Sequence, residues 1–417
     1  MNKRKTIIAG IILAIIFIIV YVGISSDKPN EIYIIDDKKE NIGTIILQDG
    51  QIDYKCDEQY RSYIDLVYYE MMELQELNPK KFSDVVKLFA TNYRVETCMD
   101  KDIMESIYDS YENCKSKIYH RDFSTVVIDT AGHIKGCLGV ENNEYSASNL
   151  LNHKYACSTI KPLSVYAPIL EEKIADETTM YDDKPYKTII DDSGNTVMWP
   201  QNVKDYSYDK ISLEEGLITS NNAVTIRVLK DLGVDTSLDY LENNFRINVD
   251  YEKDEYNKNG DENILANVGL GYLEEGVSVL KMTECYEAFA NAGRINPVHC
   301  ILSIYDQDNN LIYSKKNNEY VAISKETAYR INRILKKVVS EEGTGKNADI
   351  SGIDVCGKTG TSQNFKDNWF IGMTPQYVCG VWYKGNQDFI SINEADGIFN
   401  EIMSKVRLDT NIKYPKK

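Results

Sequence analysis

Histidine is scarce in this sequence. Four occur among 417 residues, and only His153 lies near a serine motif described below. Five positions separate His153 from Ser158, which is off the i+3 and i+4 spacing at which side chains on a helix face each other. A Ser-His-Asp triad is therefore not expected.

Cysteine pairs at metal-binding spacing are also absent. The nine cysteines form an odd set, and no C-x-x-C pair occurs. This pattern argues against a complete disulfide framework and against a zinc site, so no metal and no cofactor are expected. Cys157 and Cys379 lie among apolar residues, which favours the role of a small buried hydrophobic side chain.

Positive charge is in deficit. Lysine and arginine number 47 against 64 aspartates and glutamates, and the formal net charge is −17. Nucleic-acid binding is excluded on this ground, because phosphates are bound by basic patches. The balance is compatible with solubility outside a cell or with cationic partners.

The chain begins with one long apolar run. Residues 6–24 carry no charged side chain and follow Lys3, Arg4 and Lys5. Nineteen helical residues at about 1.5 Å each span roughly 28 Å, close to the hydrocarbon thickness of a bilayer. We expect residues 1–25 to form a cytoplasmic stub and a single membrane anchor, with the body outside the cell. A cleaved signal peptide is the alternative, although the run is long and lacks a clear small-x-small site.

The remaining chain divides into a small and a large part. Residues 26–92, acidic and rich in tyrosine, are interpreted as a juxtamembrane pedestal with two helices. In residues 93–417, a hairpin is predicted at 124–140, helices over 157–340 with a polar interruption at 176–210, and three late strands. This order predicts an α/β (α+β) fold: a five-stranded antiparallel sheet flanked by helices, with a mostly helical inserted subdomain.

Ser-x-x-Lys occurs four times, so the motif alone carries little information. Ser25 adjoins the apolar run, Ser207 lies in the polar interruption, and Ser278 starts an amphipathic helix where a capping role suffices. Only Ser158 opens an apolar helix and is followed, in order, by two further polar motifs. These motifs are Ser220-Asn221-Asn222 and Lys358-Thr359-Gly360-Thr361.

The lysines supply the base that a serine nucleophile needs. Lys161, one helical turn after Ser158, can act as this base if its pKa falls from about 10.4 to about 7, which requires roughly 4.6 kcal/mol. A second ammonium about 4 Å away provides about 4 kcal/mol at an effective dielectric near 20. Burial provides the remainder. Lys358 is the candidate second charge, which predicts that both lysines lie in one site.

The third motif lies on a predicted strand. Gly360 would let a substrate backbone approach closely. The hydroxyls of Thr359 and Thr361, beside Lys358, suit a carboxylate. A strand edge that pairs with an extended peptide is a recurring mode of recognition.

These motifs carry a resemblance to a known family. "CSTIKP", "TSNNAVTIRVL" and "GKTGTSQNFKDNWFIGMTPQYVCGVW" resemble the three active-site boxes of penicillin-binding proteins, specifically the transpeptidase domain of the bifunctional class A type. "LEEGVSVLKMTECYEAFANAGRINP" and "EEGTGKNA" are similar to family segments between the boxes. The resemblance spans residues 93–390.

The resemblance implies a serine acyltransferase that cross-links peptidoglycan stem peptides ending in D-Ala-D-Ala and is acylated by β-lactams. Ser158 would be the nucleophile and Lys161 its base, while Ser220 would relay a proton to the leaving D-alanine. Asn222 would hold the substrate amide, Lys358 would set the electrostatics, and Thr359 and Thr361 would bind the terminal carboxylate. Backbone N–H groups of Ser158 and Thr361 would form the oxyanion hole.

Two departures from the family pattern matter. Cys157 stands where the family pattern has glycine, and residues 26–92 are too few to hold a glycosyltransferase domain. A monofunctional relative that works with a separate glycosyltransferase is therefore expected. A D,D-carboxypeptidase, a membrane-anchored β-lactam sensor and a β-lactam hydrolase remain as alternatives.

Overall fold

The computed structural model describes residues 30–118, 122–190, 193–260, 262, 264–340, 342–362, 365–385 and 394–416. The predicted anchor lies outside these residues. Among the helices of the described ranges, none combines the length and apolar character needed to cross a membrane. The chain forms two compact units: one takes in the described part of Met1–Lys101 with His299–Lys316, and the other takes in Asp102–Val298 with Asn317–Lys417.

The strands of the described residues fall into two larger sheets and three short hairpins or pairs. In chain order they are β1 Glu31–Ile35, β2 Asn41–Gln48, β3 Gln51–Cys56, β4 Tyr93–Thr97, β5 Asp122–Asp129, β6 Ile134–Glu141, β7 Glu144–Tyr145, β8 Met180–Asp182, β9 Lys187–Ile190, β10 Thr196–Trp199, β11 Lys210–Ser212, β12 Arg294–Ile295, β13 Ile301–Asp306, β14 Leu311–Ser314, β15 Tyr320–Val321, β16 Cys356–Thr361, β17 Asp367–Met373 and β18 Tyr377–Lys384.

The helices are mostly short, and several follow one another directly. The α-helices are α1 Arg61–Leu74, α2 Phe82–Leu88, α3 Lys101–Cys114, α4 Ser148–Leu151, α5 Ala167–Glu171, α6 Leu213–Ile218, α7 Asn222–Leu232, α8 Val234–Asp239, α9 Asp250–Asn259, α10 Leu265–Leu270, α11 Val279–Ala290, α12 Lys325–Val338 and α13 Ala395–Lys405. Single 3-10 turns cover Glu58–Tyr60, Cys157–Ile160 and Lys346–Ala348, and π-helical turns cover Pro162–Tyr166 and Tyr240–Asn244.

The first unit contains a six-stranded sheet in the order β14-β13-β4-β1-β2-β3. The two helices predicted in this region are present as α1 and α2, whereas strands β1 to β3 were not predicted. In Asn41–Gln48, for example, the buried apolar residues do not alternate regularly with exposed polar ones, so the run lacks the pattern typical of a strand. The sheet also includes β13 and β14, which come from residues about 200 positions later in the chain. Such a long-range pairing leaves no local signal in the sequence.

The second unit is built on an entirely antiparallel sheet in the order β16-β17-β18-β5-β6-β7. The predicted five strands are present, and the pairing of β18 with β5 joins the early hairpin to the late strands. The predicted number was wrong, because the two-residue strand β7 extends the edge beyond β6. A strand of two residues is too short to show an alternating pattern.

Helices cover both faces of this sheet. A Cβ at Gly380 would lie 2.1 Å from Thr283 of α11, whereas one at Gly372 would lie 2.4 Å from the Phe399 ring of α13. Gly380 pairs with Ile371, and Gly372 pairs with Cys379, so the two glycines face opposite sides. Glycine at each position therefore lets a helix pack closely against the strands.

The turn that carries Ser158 packs against the edge strand β16 at Gly360. A Cβ at Gly360 would lie 2.9 Å from Thr159 Cγ2 and 3.0 Å from the carbonyl oxygen of Ala156. The close approach that the sequence analysis assigned to a substrate at Gly360 is thus already made by the protein's own 3-10 turn. Any side chain at this position would displace the turn that carries Ser158.

Cys157 has a left-handed backbone. Its φ is 51°, a region that costs a non-glycine residue roughly 1–2 kcal/mol. Its N–H donates to the carbonyl of Gly271 (3.1 Å), and Gly271, with φ of 84°, approaches so closely that a Cβ there would lie 2.1 Å from the Cys157 oxygen. The family glycine expected at position 157 would suit this backbone without strain.

We predict that Cys157→Gly destabilises the protein less than the matched change Cys137→Gly. Both cysteines are buried, so both variants lose a buried side chain and gain the same flexibility in the unfolded chain. Only position 157 is relieved of left-handed strain, because Cys137 lies in the extended strand β6. Chemical denaturation should give a difference of about 1 kcal/mol or more in the free energy of unfolding. Equal losses would contradict a strained Cys157.

Candidate active site

All the residues that the sequence analysis singled out as functional lie in the second unit. Ser158 sits in the middle of the 3-10 turn Cys157–Ile160, half-buried between buried neighbours. The N–H of Lys161 donates to the Ser158 carbonyl, which sets the two residues one turn apart. Two hydrogen bonds anchor this segment: Tyr286 Oη donates to the Thr159 carbonyl (2.6 Å), and Trp369 Nε1 donates to the Tyr155 carbonyl (2.9 Å).

The side chain of Lys161 is fully buried. Its Nζ lies 2.9 Å from the carbonyl oxygen of Ser220, 3.4 Å from Ser220 Oγ and 2.5 Å from Asn222 Oδ1. No carboxylate of the described residues lies within salt-bridge distance of this nitrogen. A buried amine with neutral partners alone is favoured in its uncharged form.

Lys358 reaches the same serine from strand β16. Its side chain is also fully buried, and Nζ donates to Ser220 Oγ (2.9 Å) and to the Thr359 carbonyl (3.0 Å). Here too, no described carboxylate forms an ion pair with the amine. The two lysines therefore meet at one hydroxyl, as the charge argument from the sequence requires.

Burial lowers the pKa of both lysines. The pKa of Lys161 falls well below its ordinary value, first because of burial and second because of repulsion from Lys358. Burial alone lowers the pKa of Lys358 to about 7. The predicted order, in which repulsion lowers the pKa of Lys161 more than burial does, was wrong, because this lysine is fully buried and residue spacing cannot show the extent of burial.

Ser220 occupies the centre of the polar cluster. Its Oγ is hydrogen-bonded by Lys358 and faces Lys161, so one hydroxyl lies between two amines. When Lys161 is neutral, the Ser220 hydroxyl can accept from Lys358 and donate to the Lys161 nitrogen. The backbone of Ser220 is left-handed, with φ of 57°, and Asn221 follows as the N-cap of α7, its side chain accepting from the Val224 N–H (2.9 Å).

The rest of the third motif lines the same edge of the sheet. Thr359 and Thr361 are half-buried, whereas Lys358 and Gly360 are buried. The hydroxyl of Thr359 shares a hydrogen bond with that of Thr344 (2.6 Å), from the segment that the sequence analysis matched to the family between the boxes. Strand β16 is the outermost strand on its side of the sheet.

Three residues around Asn222 were missed by the sequence analysis. Asn202 accepts hydrogen bonds from the N–H groups of Asn222 (2.9 Å) and Ala223 (3.1 Å), and Asp183 accepts from the Asn202 side chain (2.9 Å). The carbonyl of Gln201 accepts from Asn222 Nδ2 (2.6 Å). All three lie in the polar interruption at 176–210, where asparagine and aspartate are so common in loops that no local signal separates them.

His153 and the acidic side chains do not hydrogen-bond to the described lysine–serine cluster. His153 has an exposed side chain whose Nδ1 bonds to the Glu275 carbonyl (2.8 Å). Across the described residues, no three His, Cys, Asp or Glu side chains come together as a metal site. The chemistry available at the cluster is therefore that of a serine hydroxyl with amine bases.

Comparison with known proteins agrees with this geometry. Residues 127–404 match the family described as the penicillin binding protein transpeptidase domain. Penicillin-binding protein 1A of Clostridium botulinum (strain Langeland) is 29% identical over 328 residues, which cover 75% of this chain and 38% of that protein. Penicillin-binding protein 1F of Bacillus subtilis is 27% identical over 338 residues, 78% of this chain and 43% of that protein. The chain thus spans less than half the length of these relatives.

Solved structures show the same fold. The D,D-transpeptidase domain of a peptidoglycan glycosyltransferase from Eggerthella lenta superimposes with a TM-score of 0.68 at 19% identity, over 91% of this chain and 98% of that one. Penicillin binding protein 3 of Mycobacterium tuberculosis, complexed with aztreonam, gives 0.70 at 16% identity, over 94% and 100% of the two chains. On the strength of the matched domain, the chain belongs to the penicillin-binding protein transpeptidase family.

Proposed function

We propose that this protein is a serine D,D-transpeptidase that cross-links peptidoglycan stem peptides through an acyl-enzyme on Ser158. The observation that carries the proposal is the single hydroxyl of Ser220 between two buried amines without a counter-ion among the described residues. This arrangement keeps one amine neutral for proton transfer and leaves the other as a positive charge. The family implies the substrate class, a stem peptide that ends in D-Ala-D-Ala.

In the acylation step, Ser158 Oγ attacks the carbonyl carbon of the penultimate D-alanine or of a β-lactam ring. The serine proton passes to the neutral Lys161 amine, and the oxyanion is held by the backbone N–H groups of Ser158 and Thr361. The proton then moves through the Ser220 hydroxyl to the leaving nitrogen. Terminal D-alanine departs, whereas the opened β-lactam stays attached. The terminal carboxylate would be bound by Lys358, Thr359 and Thr361.

In the second step, the amine of another stem peptide attacks the acyl-enzyme. Attack by water instead would make the protein a D,D-carboxypeptidase or a β-lactam hydrolase. Within the described residues, no carboxylate hydrogen-bonds to Lys161, Ser220 or Lys358. The cluster therefore offers no carboxylate that could act as a general base for water. This favours an acyl-enzyme that persists until an amine attacks it.

Membrane anchoring and the need for a separate glycosyltransferase stay predictions from the sequence. The basic residues before the apolar run 6–24 support an outside body, where stem peptides and β-lactams are found. The described residues contain no helix that could cross a membrane, and the apolar run itself lies outside them.

The first test is the site of acylation. Fluorescent penicillin should attach to Ser158 and to none of Ser207, Ser278 or the other serines, which mass mapping of the labelled peptide measures. Ser158→Ala should abolish labelling, and the matched change Ser278→Ala, which removes only a helix cap, should retain it. Incubation with two purified stem peptides, followed by separate assays for cross-linked and for trimmed product, then distinguishes a transpeptidase from a carboxypeptidase. A label on another serine would overturn the proposal.

A second prediction separates the two lysines. Lys161→Arg should abolish acylation, because a guanidinium stays protonated and accepts no proton from Ser158. Loss of general-base help typically costs about 10²–10⁴ in rate. Lys358→Arg should cost only about tenfold, since a displaced charge still attracts a carboxylate. Second-order acylation rates with benzylpenicillin measure both, after circular dichroism shows folding. Equal losses would mean that Lys161 is not the base.

A third prediction concerns pH. The second-order rate reports groups of the free enzyme, where the pKa of Lys358 is about 7. As the pH rises through this value, Lys358 loses the charge that attracts the benzylpenicillin carboxylate, so the rate should fall on the alkaline side. At lower pH, the rate should fall as Lys161 becomes protonated. Lys358→Arg keeps its charge at every accessible pH and should lose the alkaline fall. An unchanged alkaline limb in this variant would assign the limb to another group.

A further inference from the structure

The loop between β10 and β11 provides two separate groups to the start of α7. Asn202 Oδ1 accepts from the backbone N–H groups of Asn222 and Ala223, the first two residues of the helix. The N-cap Asn221 already accepts from the third, that of Val224. The N-cap role thus belongs to Asn221, and Asn202 is a second acceptor that holds the backbone of Asn222 together with that of Ala223.

The same loop orients the side chain of Asn222. Its Nδ2 donates to the Gln201 carbonyl (2.6 Å), which turns Oδ1 towards Lys161 Nζ (2.5 Å). An amide nitrogen carries two N–H groups, so this contact leaves the second N–H of Asn222 for a carbonyl oxygen of the substrate. The dipeptide Gln201–Asn202 thus contacts both the side chain and the backbone of Asn222.

Asp183 holds this dipeptide in place. Its side chain is buried, and its two oxygens accept from Asn202 Nδ2 (2.9 Å) and from the Ser207 N–H (2.9 Å). Burial raises the pKa of Asp183, but hydrogen bonds from Ser207, Asn221 and Asn202 outweigh it and keep the pKa below the ordinary value. The carboxylate thus stays charged and anchors the loop.

We propose that Asn202, held by Asp183, is a positioning residue that presents the second N–H of the Asn222 amide to the acylamino carbonyl of the substrate. The pair would make the enzyme selective for substrates and β-lactams that carry an acylamino group beside the reacting carbonyl. This inference rests on the proposed function and on the role that the family resemblance implies for Asn222, which would hold the substrate amide.

The test compares two β-lactams. Benzylpenicillin carries an acylamino group, whereas 6-aminopenicillanic acid has a free amine at that position. The ratio of their acylation rates should fall about tenfold in Asn222→Ala and in Asn202→Ala, equivalent to about 1.4 kcal/mol, which is within the range of a lost hydrogen bond. The double variant should fall no further, because both changes remove one interaction. Ser278→Ala, which removes the cap of α11, should leave the ratio unchanged.

An exchange of side chains separates positioning from folding. Asn202→Asp alone places two carboxylates in contact and should lower the ratio. Asp183→Asn combined with Asn202→Asp reverses the hydrogen bond: the new amide at 183 donates, and the new carboxylate at 202 accepts from the two N–H groups. This exchange should restore the ratio to within about threefold of the parent protein, since it keeps a hydrogen bond between positions 183 and 202 and both backbone contacts of position 202.

The outcomes are distinguishable. A ratio that is unchanged in Asn202→Ala, or an exchange variant no better than Asn202→Asp, would overturn the positioning role. A parent protein that benzylpenicillin does not acylate at Ser158 would overturn the proposed function instead. Equal losses with both β-lactams, at an unchanged ratio, would show that the pair serves stability alone and would also overturn this inference.

Discussion

The burial of two lysine amines, with no counter-ion among the described residues, is the constraint on which the rest of the site depends. Lys161 and Lys358 come from a helical turn and an edge strand, and both reach the hydroxyl of Ser220. A buried amine is costly when charged, so the apolar packing that surrounds it favours the neutral base. An aspartate or glutamate beside either lysine would stabilise the charge and remove the base. The chain as a whole is acidic, yet the described residues keep carboxylates away from both nitrogens.

Backbone strain is found beside the same groups. Cys157 and Ser220 both adopt left-handed conformations, at 51° and 57°, although neither is glycine. Each strained residue is held by contacts from elsewhere: Gly271 accepts from the Cys157 N–H, and two lysines bind Ser220. Residues in such conformations persist where the surrounding structure over-determines them, and they concentrate at functional sites. Here the strain places Ser158 and the Ser220 hydroxyl against the edge strand.

Gly360 allows the turn Cys157–Ile160 to pack against the edge strand β16. Gly360 was expected to admit a substrate backbone, but the protein's own turn already lies against the position that a Cβ would occupy. The glycine is therefore needed to place the nucleophile, whatever peptide pairs with the strand. Similarly, the polar interruption was interpreted only as a loop, and it supplies Gln201, Asn202 and Asp183 to the start of α7.

The sequence by itself determined the elements whose signals are local or ordered along the chain. The three ordered motifs predicted that Ser158, among four Ser-x-x-Lys copies, belongs to the site, and short apolar runs predicted the five long strands of the second unit. Only the tertiary structure decided the pairing of β13 with β4, the short strand β7, the left-handed Cys157 and the contacts of Asn202. Each of these depends on residues distant in sequence or on a backbone angle. Residue types and spacing do not encode such contacts locally, because the free energy that selects them comes from packing across the folded chain.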